Sequence, residues 1–235
     1  MTTLPLCCED AAAQLDDAGL DLVTFFDATA YNRAIAGHPF LRPLETFGRD
    51  HVLALLVGNT RALWPALRRA IQSDPTAPTR DPVDNYVARN INACVENCQI
   101  STHVYLSHEE GPRLVSMLHA AEVSGMAQVG PAHLALHPRH GLWFALRAVV
   151  VFDWPWEGSI TPSVDLCSSC EAPCVDALNT AIAKQGDTPY RPGDGPTWRN
   201  WVQIREVCPV GQDGRYSEAQ IRYHYTLDPD TLRGP

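Results

Sequence analysis

The chain has 235 residues, a net charge of −9, 45% hydrophobic and 19% charged residues. That is enough chain for one large domain, or a domain with an appendage, with a full core. The acidic balance makes it a poor partner for nucleic acid or an anionic membrane, so any phosphate it holds must be met by a few placed arginines. The start, Met1 to Cys8, has neither the basic nor the long apolar stretch of a secretory leader. No apolar run approaches the roughly 18 residues of a membrane span, and a cytoplasmic location is expected.

Glu9 to Ala18 is rich in alanine and predicts a helix ended by Gly19; Leu20 to Phe26 follows as a short apolar strand. Ala28 to Ala36 predicts a second helical stretch, stopped by Gly37 and the Pro39 to Pro43 region. His51 to Val57 is a continuous apolar run of strand length. Asn59 or Thr60 is then expected to cap a helix carrying Trp64, Leu67 and Ile71, with Pro65 in its first turn. After a Pro/Thr loop at 73–80, Asp81 and Pro82 start a helix on which Val83, Val87, Ile91, Cys94 and Cys98 recur at helical spacing.

Thr102 to Leu106 reads as a strand, and Pro112 to Ser124 as a helix ended by Gly125. His133–Leu136 and Leu142–Phe152 read as two strands joined by the turn His137 to Gly141 in a hairpin-like unit. From Asp153 the composition shifts to a loop with two tryptophans and two prolines. Helices are expected at Pro173–Lys184, Trp198–Val207 and Ser217–Tyr225, with a Pro/Gly loop at 186–196 between the first two. Strands and helices mix without a regular βαβ rhythm, which predicts α+β rather than a doubly wound sheet.

Three stretches carry chemistry. Arg147 closes an apolar strand segment, so its charge sits on a mostly buried surface and needs an anionic partner. A structural ion pair with a carboxylate and a ligand site both satisfy that need. Met117 to Gly130 carries small residues around Gly125, which serve equally a helix end and a broad, flat ligand laid against backbone. Cys167, Cys170 and Cys174, spaced C-x2-C-x3-C, bring three sulfurs within reach of one metal or cluster. The fourth ligand of such a site would be Cys208, Cys94 or Cys98; a reduced thiol set or redox pair is the other reading. Cys94 and Cys98 lie four apart on one apolar helix face and read as packing thiols. Of the nine histidines, only His137 and His140 sit in a motif. No Ser/His/Asp signature, P-loop or G-x-G-x-x-G is present.

Taken together, His137 to Arg147 resembles the His-Pro-Arg-(Phe)-Gly-Gly-Trp-Phe-Ala-Ile-Arg segment of the cblC-type cobalamin-processing proteins. Three further places agree. Tyr31–Asn32 with the Pro39–Pro43 bracket, the apolar strand and the Trp64 helix follow that family's N-terminal order. Asp81-Pro82-Val83-Asp84 matches a helix start. Trp201, Arg205 and Arg215-Tyr216-Ser217-Glu218 match the C-terminal segment. The likeness spans roughly residues 20 to 233.

The resemblance implies a nitroreductase-like fold, an antiparallel sheet flanked by helices. It implies cobalamin bound with its lower base displaced from cobalt, reductive decyanation, dealkylation by glutathione thiolate, and passage of the product to a delivery partner protein. The glutathione carboxylates would be held by Arg147, Arg205 and Arg233, since guanidinium grips a carboxylate bidentately. The corrin ring would rest on Gly125, Met126, Ala127, His137, Pro138, Arg139, Gly141, Trp143 and Phe144. Residues 1–152 would form the cobalamin-binding core, and 153–235 a cysteine-rich loop and C-terminal helices completing the same domain. Glu122 stands where the animal proteins carry histidine, and no Asp-x-His-x-x-Gly motif offers a histidine to replace the displaced base.

The cysteine run resembles the start of the ferredoxin-like segment of epoxyqueuosine reductases, whose full pattern is C-x2-C-x2-C-x3-C-P. Alternatives to the decyanase and dealkylase are therefore an iron–sulfur and cobalamin reductase of that type, or a non-catalytic cobalamin carrier. The electrons would come from reduced flavin, from a thiol such as glutathione, or from the Cys167–Cys174 set itself, and the cysteines would hold an iron–sulfur cluster, zinc or nothing. The chain is expected to be a monomer or homodimer.

Overall fold

The computed structural model describes residues 4–74, 80–96, 98–109, 111, 114–159, 164–187, 189–193 and 195–233, with Arg233 described by its backbone only. The helices are α1 (Leu6–Asp17), α2 (Ala28–Ala34), α3 (Leu63–Ser73), α4 (Pro82–Glu96), α5 (Met117–Ser124), α6 (Pro173–Gln185), α7 (Trp198–Glu206), α8 (Glu218–Thr226) and α9 (Asp230–Arg233). The strands are β1 (Leu22–Asp27), β2 (Val52–Asn59), β3 (Thr102–Leu106), β4 (Gln128–Val129), β5 (Ala135–Leu136) and β6 (Ala145–Pro155). Four of them form an antiparallel sheet in the order β1-β2-β6-β3.

β2 lies second in that sheet, and all eight of its residues are buried. An unbroken apolar run demands this, because side chains alternate between faces and both faces must then be covered. Leu53, Leu55 and Val57 point with Val150 and Phe152 into one core, closed by α1, α3 and α4. Ala54 and Leu56 point with Phe26, Val149 and Val151 into the other, closed by α2 and α5. Tyr223 of α8 and Leu232 of α9 pack into the first core. No helix among the described residues is long and apolar enough to cross a membrane.

The chain departs from its sequence pattern at four places. β5 does not pair with the following strand as a hairpin; it pairs with β4, a two-residue strand after Gly125 that the sequence does not announce. The turn between them closes only through a bridge from His137 to Gly141. β6 runs past Phe152 to Pro155, because pairing extends it: Asp153 donates its N–H to the Ser101 carbonyl at 2.8 Å and Trp156 to the His51 carbonyl at 3.2 Å. α3 has no side chain on its first turn as a cap; Thr60 instead donates its N–H to Asp21 Oδ1 at 2.7 Å and accepts from the Ala62 N–H at 3.2 Å. α5 starts at Met117, capped by the Ser116 hydroxyl, rather than at Pro112, which lies outside the described residues, as do residues 75–79 of the Pro/Thr loop.

Candidate functional site

The start of β6, the loop around Tyr190 and Pro192, α7 and α8 border a cleft holding about 690 Å³ of empty space, lined by Arg147, Arg205, Tyr190, Tyr216, His224 and Tyr225. Arg147 enters from β6 and donates its Nε–H to Asn59 Oδ1 at 2.6 Å. Arg205 enters from α7; it donates to the Leu142 and Phe144 carbonyls and, through Nε, to the Tyr225 hydroxyl at 3.1 Å. All these acceptors are neutral. Among the described residues neither guanidinium forms an ion pair. Burial pulls the Arg147 pKa below its ordinary value, and an arginine still keeps its charge.

Arg215 makes the contrast. Its Nη2 lies 2.6 Å from both Glu206 Oε1 and Glu218 Oε1, and its guanidinium sits over the Trp143 ring at 5.6 Å. It is neutralised within the fold, whereas the two cleft arginines have no acidic partner among the described residues.

The polar groups around them are unsatisfied in the same sense. Tyr216 hydroxyl and His224 Nε2 are shielded from solvent with no hydrogen-bond partner among the described residues. Burial, and then the charges of Arg147 and Arg205, push the His224 pKa down to about 3. Burial pushes Tyr216 up to about 12, against the pull of the same two arginines. The pocket therefore offers two cations and at least one hydroxyl donor to an anionic ligand. Leaving such groups unpaired in a buried site costs a few kcal/mol each, on the order of 1–3, and a carboxylate would recover that.

Phe144 and Trp143 line this cleft as well. The other residues expected beneath a corrin ring gather at one end of the small sheet. Gly125 ends α5 with φ +74°, Met126 and Ala127 are buried, and β4 follows directly. The Gln128–Leu136 pairing brings Ala127 next to His137, one step beyond the ladder. His137 Nδ1 accepts the backbone N–H groups of Arg139 and His140 at 3.1 and 3.2 Å. Its ring packs on Phe144 and His140 at 5.6 and 4.8 Å. Burial, then the nearby His140 and Arg139, lower its pKa to about 4, so it is neutral with its proton on Nε2. Pro138 and Arg139 are exposed. Gly141, at φ +56°, lies under the Val210 carbonyl, where a Cβ would come within 1.8 Å of the oxygen. The side chain of Arg233 lies outside the described residues.

Cys167, Cys170 and Cys174 line a single apolar cavity with Cys208, beside Leu136 and Leu142. All eight cysteines are free thiols. Among the described residues no group of three or more His, Cys, Asp or Glu side chains is spaced to hold a metal ion. The remaining four cysteines meet between α1 and α4. There Cys98 is pushed up to about 12, first by burial and then by hydrogen bonding to Cys7.

Sequence reasoning named Arg147, Arg205, Trp143 and Phe144, but not Tyr190, His224 or Tyr225, which share their cleft. Asn59 was visible only as a helix cap, and His224 only as one scattered histidine. The spacing of Tyr216, Gln220 and His224, four residues apart, was the available signal. Gln220, whose amide is also buried without a partner, lies between the other two on that spacing.

The fold is that of a nitroreductase-like α+β protein. It superposes on the B12-trafficking protein CblC of C. elegans with a TM-score of 0.69 over 97% of this chain and 96% of that one, at 18% identity. It superposes on an epoxyqueuosine reductase with a TM-score of 0.58, covering 96% of this chain and 70% of that one, at 15% identity. In sequence, the chain is similar to proteins named cyanocobalamin reductase / alkylcobalamin dealkylase. The relative from Danio rerio is 28% identical over 218 residues, 83% of this chain and 79% of that protein. The one from Bos taurus is 29% identical over 194 residues; there the match spans 74% of this chain and 64% of the relative, less than two thirds of its length. No family model matches the chain.

Proposed function

We propose that the chain binds cobalamin base-off and removes its upper axial ligand, by reductive decyanation of cyanocobalamin and by thiol-dependent dealkylation of alkylcobalamins, and passes the product to a partner. The observation that carries the reading is the pair of arginines without acidic partners in one cleft, set against the similarity to cyanocobalamin reductase / alkylcobalamin dealkylase over 83% of the chain. Glutathione suits that cleft: its two carboxylates would take the two guanidiniums, and the Tyr216 hydroxyl would donate to one of them. A cation near the thiol favours the thiolate, the form that attacks the alkyl carbon on cobalt. Held this way, thiolate and alkyl carbon meet as an oriented pair, which removes an entropic part of the barrier.

The corrin ring would lie on the Gly125–Ala127 and His137–Phe144 segments, which β4 and β5 draw together and which border the arginine cleft through Phe144. The protein favours the base-off form only as far as it binds that form more tightly. The test is the absorption spectrum of the purified chain with cyanocobalamin, then turnover with glutathione. A base-off shift with turnover supports the decyanase and dealkylase; the shift without turnover identifies a carrier. Bound iron and sulfide would instead favour a reductase of the epoxyqueuosine type.

A further inference from the structure

We propose that Cys167 and Cys170 are a redox-active dithiol that supplies the electrons for decyanation by closing to a disulfide. The proposal rests on the cobalamin reading above. The two cysteines sit in a tight turn, with the Cys170 N–H donating to the Cys167 carbonyl at 3.1 Å. Such a turn holds its first and fourth Cα atoms within about 7 Å, and a disulfide spans about 4.4–6.8 Å. The Ala172 N–H points at Cys170 Sγ from 3.4 Å.

Position supports the role. The cavity that the pair lines is apolar and bounded by Leu136 and Leu142, the two residues that flank the His137–Gly141 turn. The dithiol thus lies beside the proposed corrin platform. Cys167 and Cys170 are half-buried, whereas Cys8 and Cys94 are buried. Ser168 and Ser169, which lie between them, are exposed, so the turn faces solvent and is open to an external thiol.

The electrons balance as follows. Cyanocobalamin holds Co(III), and one electron takes it to Co(II) with loss of cyanide. The dithiol gives that electron and becomes a disulfide radical anion, which passes its second electron to another cyanocobalamin. In sum, two cyanocobalamins and one dithiol give two cob(II)alamins, one disulfide and two HCN, the thiol protons leaving with the cyanides. Two glutathiones then return the disulfide to dithiol, becoming glutathione disulfide and restoring two protons.

The experiment uses the full chain, reduced and then freed of reductant under anaerobic conditions. Mixed with excess cyanocobalamin, it should give a burst of about two cob(II)alamins per chain, set by the two-electron couple. Alkylation and peptide mass spectrometry should then find Cys167 joined to Cys170. Cys167→Ser and Cys170→Ser should each abolish the burst, yet bind cobalamin base-off and turn over with dithionite, which also establishes that they fold. Cys98→Ser, between α1 and α4, should keep the burst. A burst that survives Cys167→Ser overturns the proposal, as does a wild type that binds base-off, turns over with dithionite and gives no burst. A wild type that never forms the base-off spectrum overturns the cobalamin reading itself and the electron-supply role with it. Titration in glutathione buffers reads the disulfide without cobalamin, and no reversible Cys167–Cys170 disulfide there overturns the dithiol independently.

Discussion

Arg147 on β6 and Asn59 at the end of the adjacent strand β2 are joined by a hydrogen bond of 2.6 Å, and Asn59 is fully buried. The Asn59 Nδ2 donates in turn to the Thr60 carbonyl at 2.7 Å, which fixes the amide so that its oxygen faces the guanidinium. The strand pair therefore aims the cation into the cleft without neutralising it.

Arg147→Ala should lower thiol-dependent dealkylation by about 10- to 150-fold, the equivalent of one charged hydrogen bond of about 1.5–3 kcal/mol. Binding of cobalamin should change much less. Asn59→Ala should act in the same direction and more weakly, since it removes only the positioning. The check is kcat/KM for glutathione set beside the cobalamin Kd for each variant. Parallel losses in both quantities would refute the assignment.

Gly141→Ala should destabilise the fold. Gly141 has φ +56°, and its Cβ would meet the Val210 carbonyl oxygen at 1.8 Å. The left-handed conformation alone costs a non-glycine residue about 1–3 kcal/mol, and the contact with backbone cannot be relieved by a rotamer change. A fall in Tm of several degrees is expected, with partial loss of cobalamin binding as the His137 turn shifts. A wild-type Tm would contradict the packing described.

Acid should weaken the protein well before its carboxylates titrate. His224 is held neutral down to about 3 and His137 down to about 4, while in the unfolded chain each takes up a proton near 6.5. Between those values the unfolded chain binds more protons, so their contribution is complete above about pH 6.5 and is lost as pH falls. The slope is about 1.4 kcal/mol per pH unit for each histidine. Urea midpoints at pH 7.5 and pH 5 should differ, and His224→Phe should shrink the difference. Equal midpoints in the wild type would exclude this linkage.

The bound Co(II) form should show no nitrogen superhyperfine splitting in electron paramagnetic resonance. For His137 to ligate through Nε2, its proton would have to move to Nδ1, where two backbone N–H groups already point. That tautomer would set donors against a donor. The lower face of cobalt is therefore expected to carry water or nothing. Splitting from one nitrogen would require His137 or His133 to be redrawn as a ligand.

The sequence by itself determined the elements whose cause is local. The apolar run of β2 and the αL glycine after α5 each follow from neighbouring residues. So does the placing of Arg147 on a strand among apolar residues. What needed the tertiary structure is what depends on distant partners. β5 pairs with β4 rather than β6 because β6 is already held on both sides by β2 and β3. Arg215 meets Glu206 and Glu218 while Arg147 and Arg205 meet no acid, a difference that composition cannot carry since all three are arginines in family-like motifs. Cys208 joins Cys167, Cys170 and Cys174 only because α7 packs against α6 and brings its own C-terminal end back to the cysteine turn. Local spacing decides which residues sit side by side, and long-range packing decides which charges meet an acid and which thiols gather.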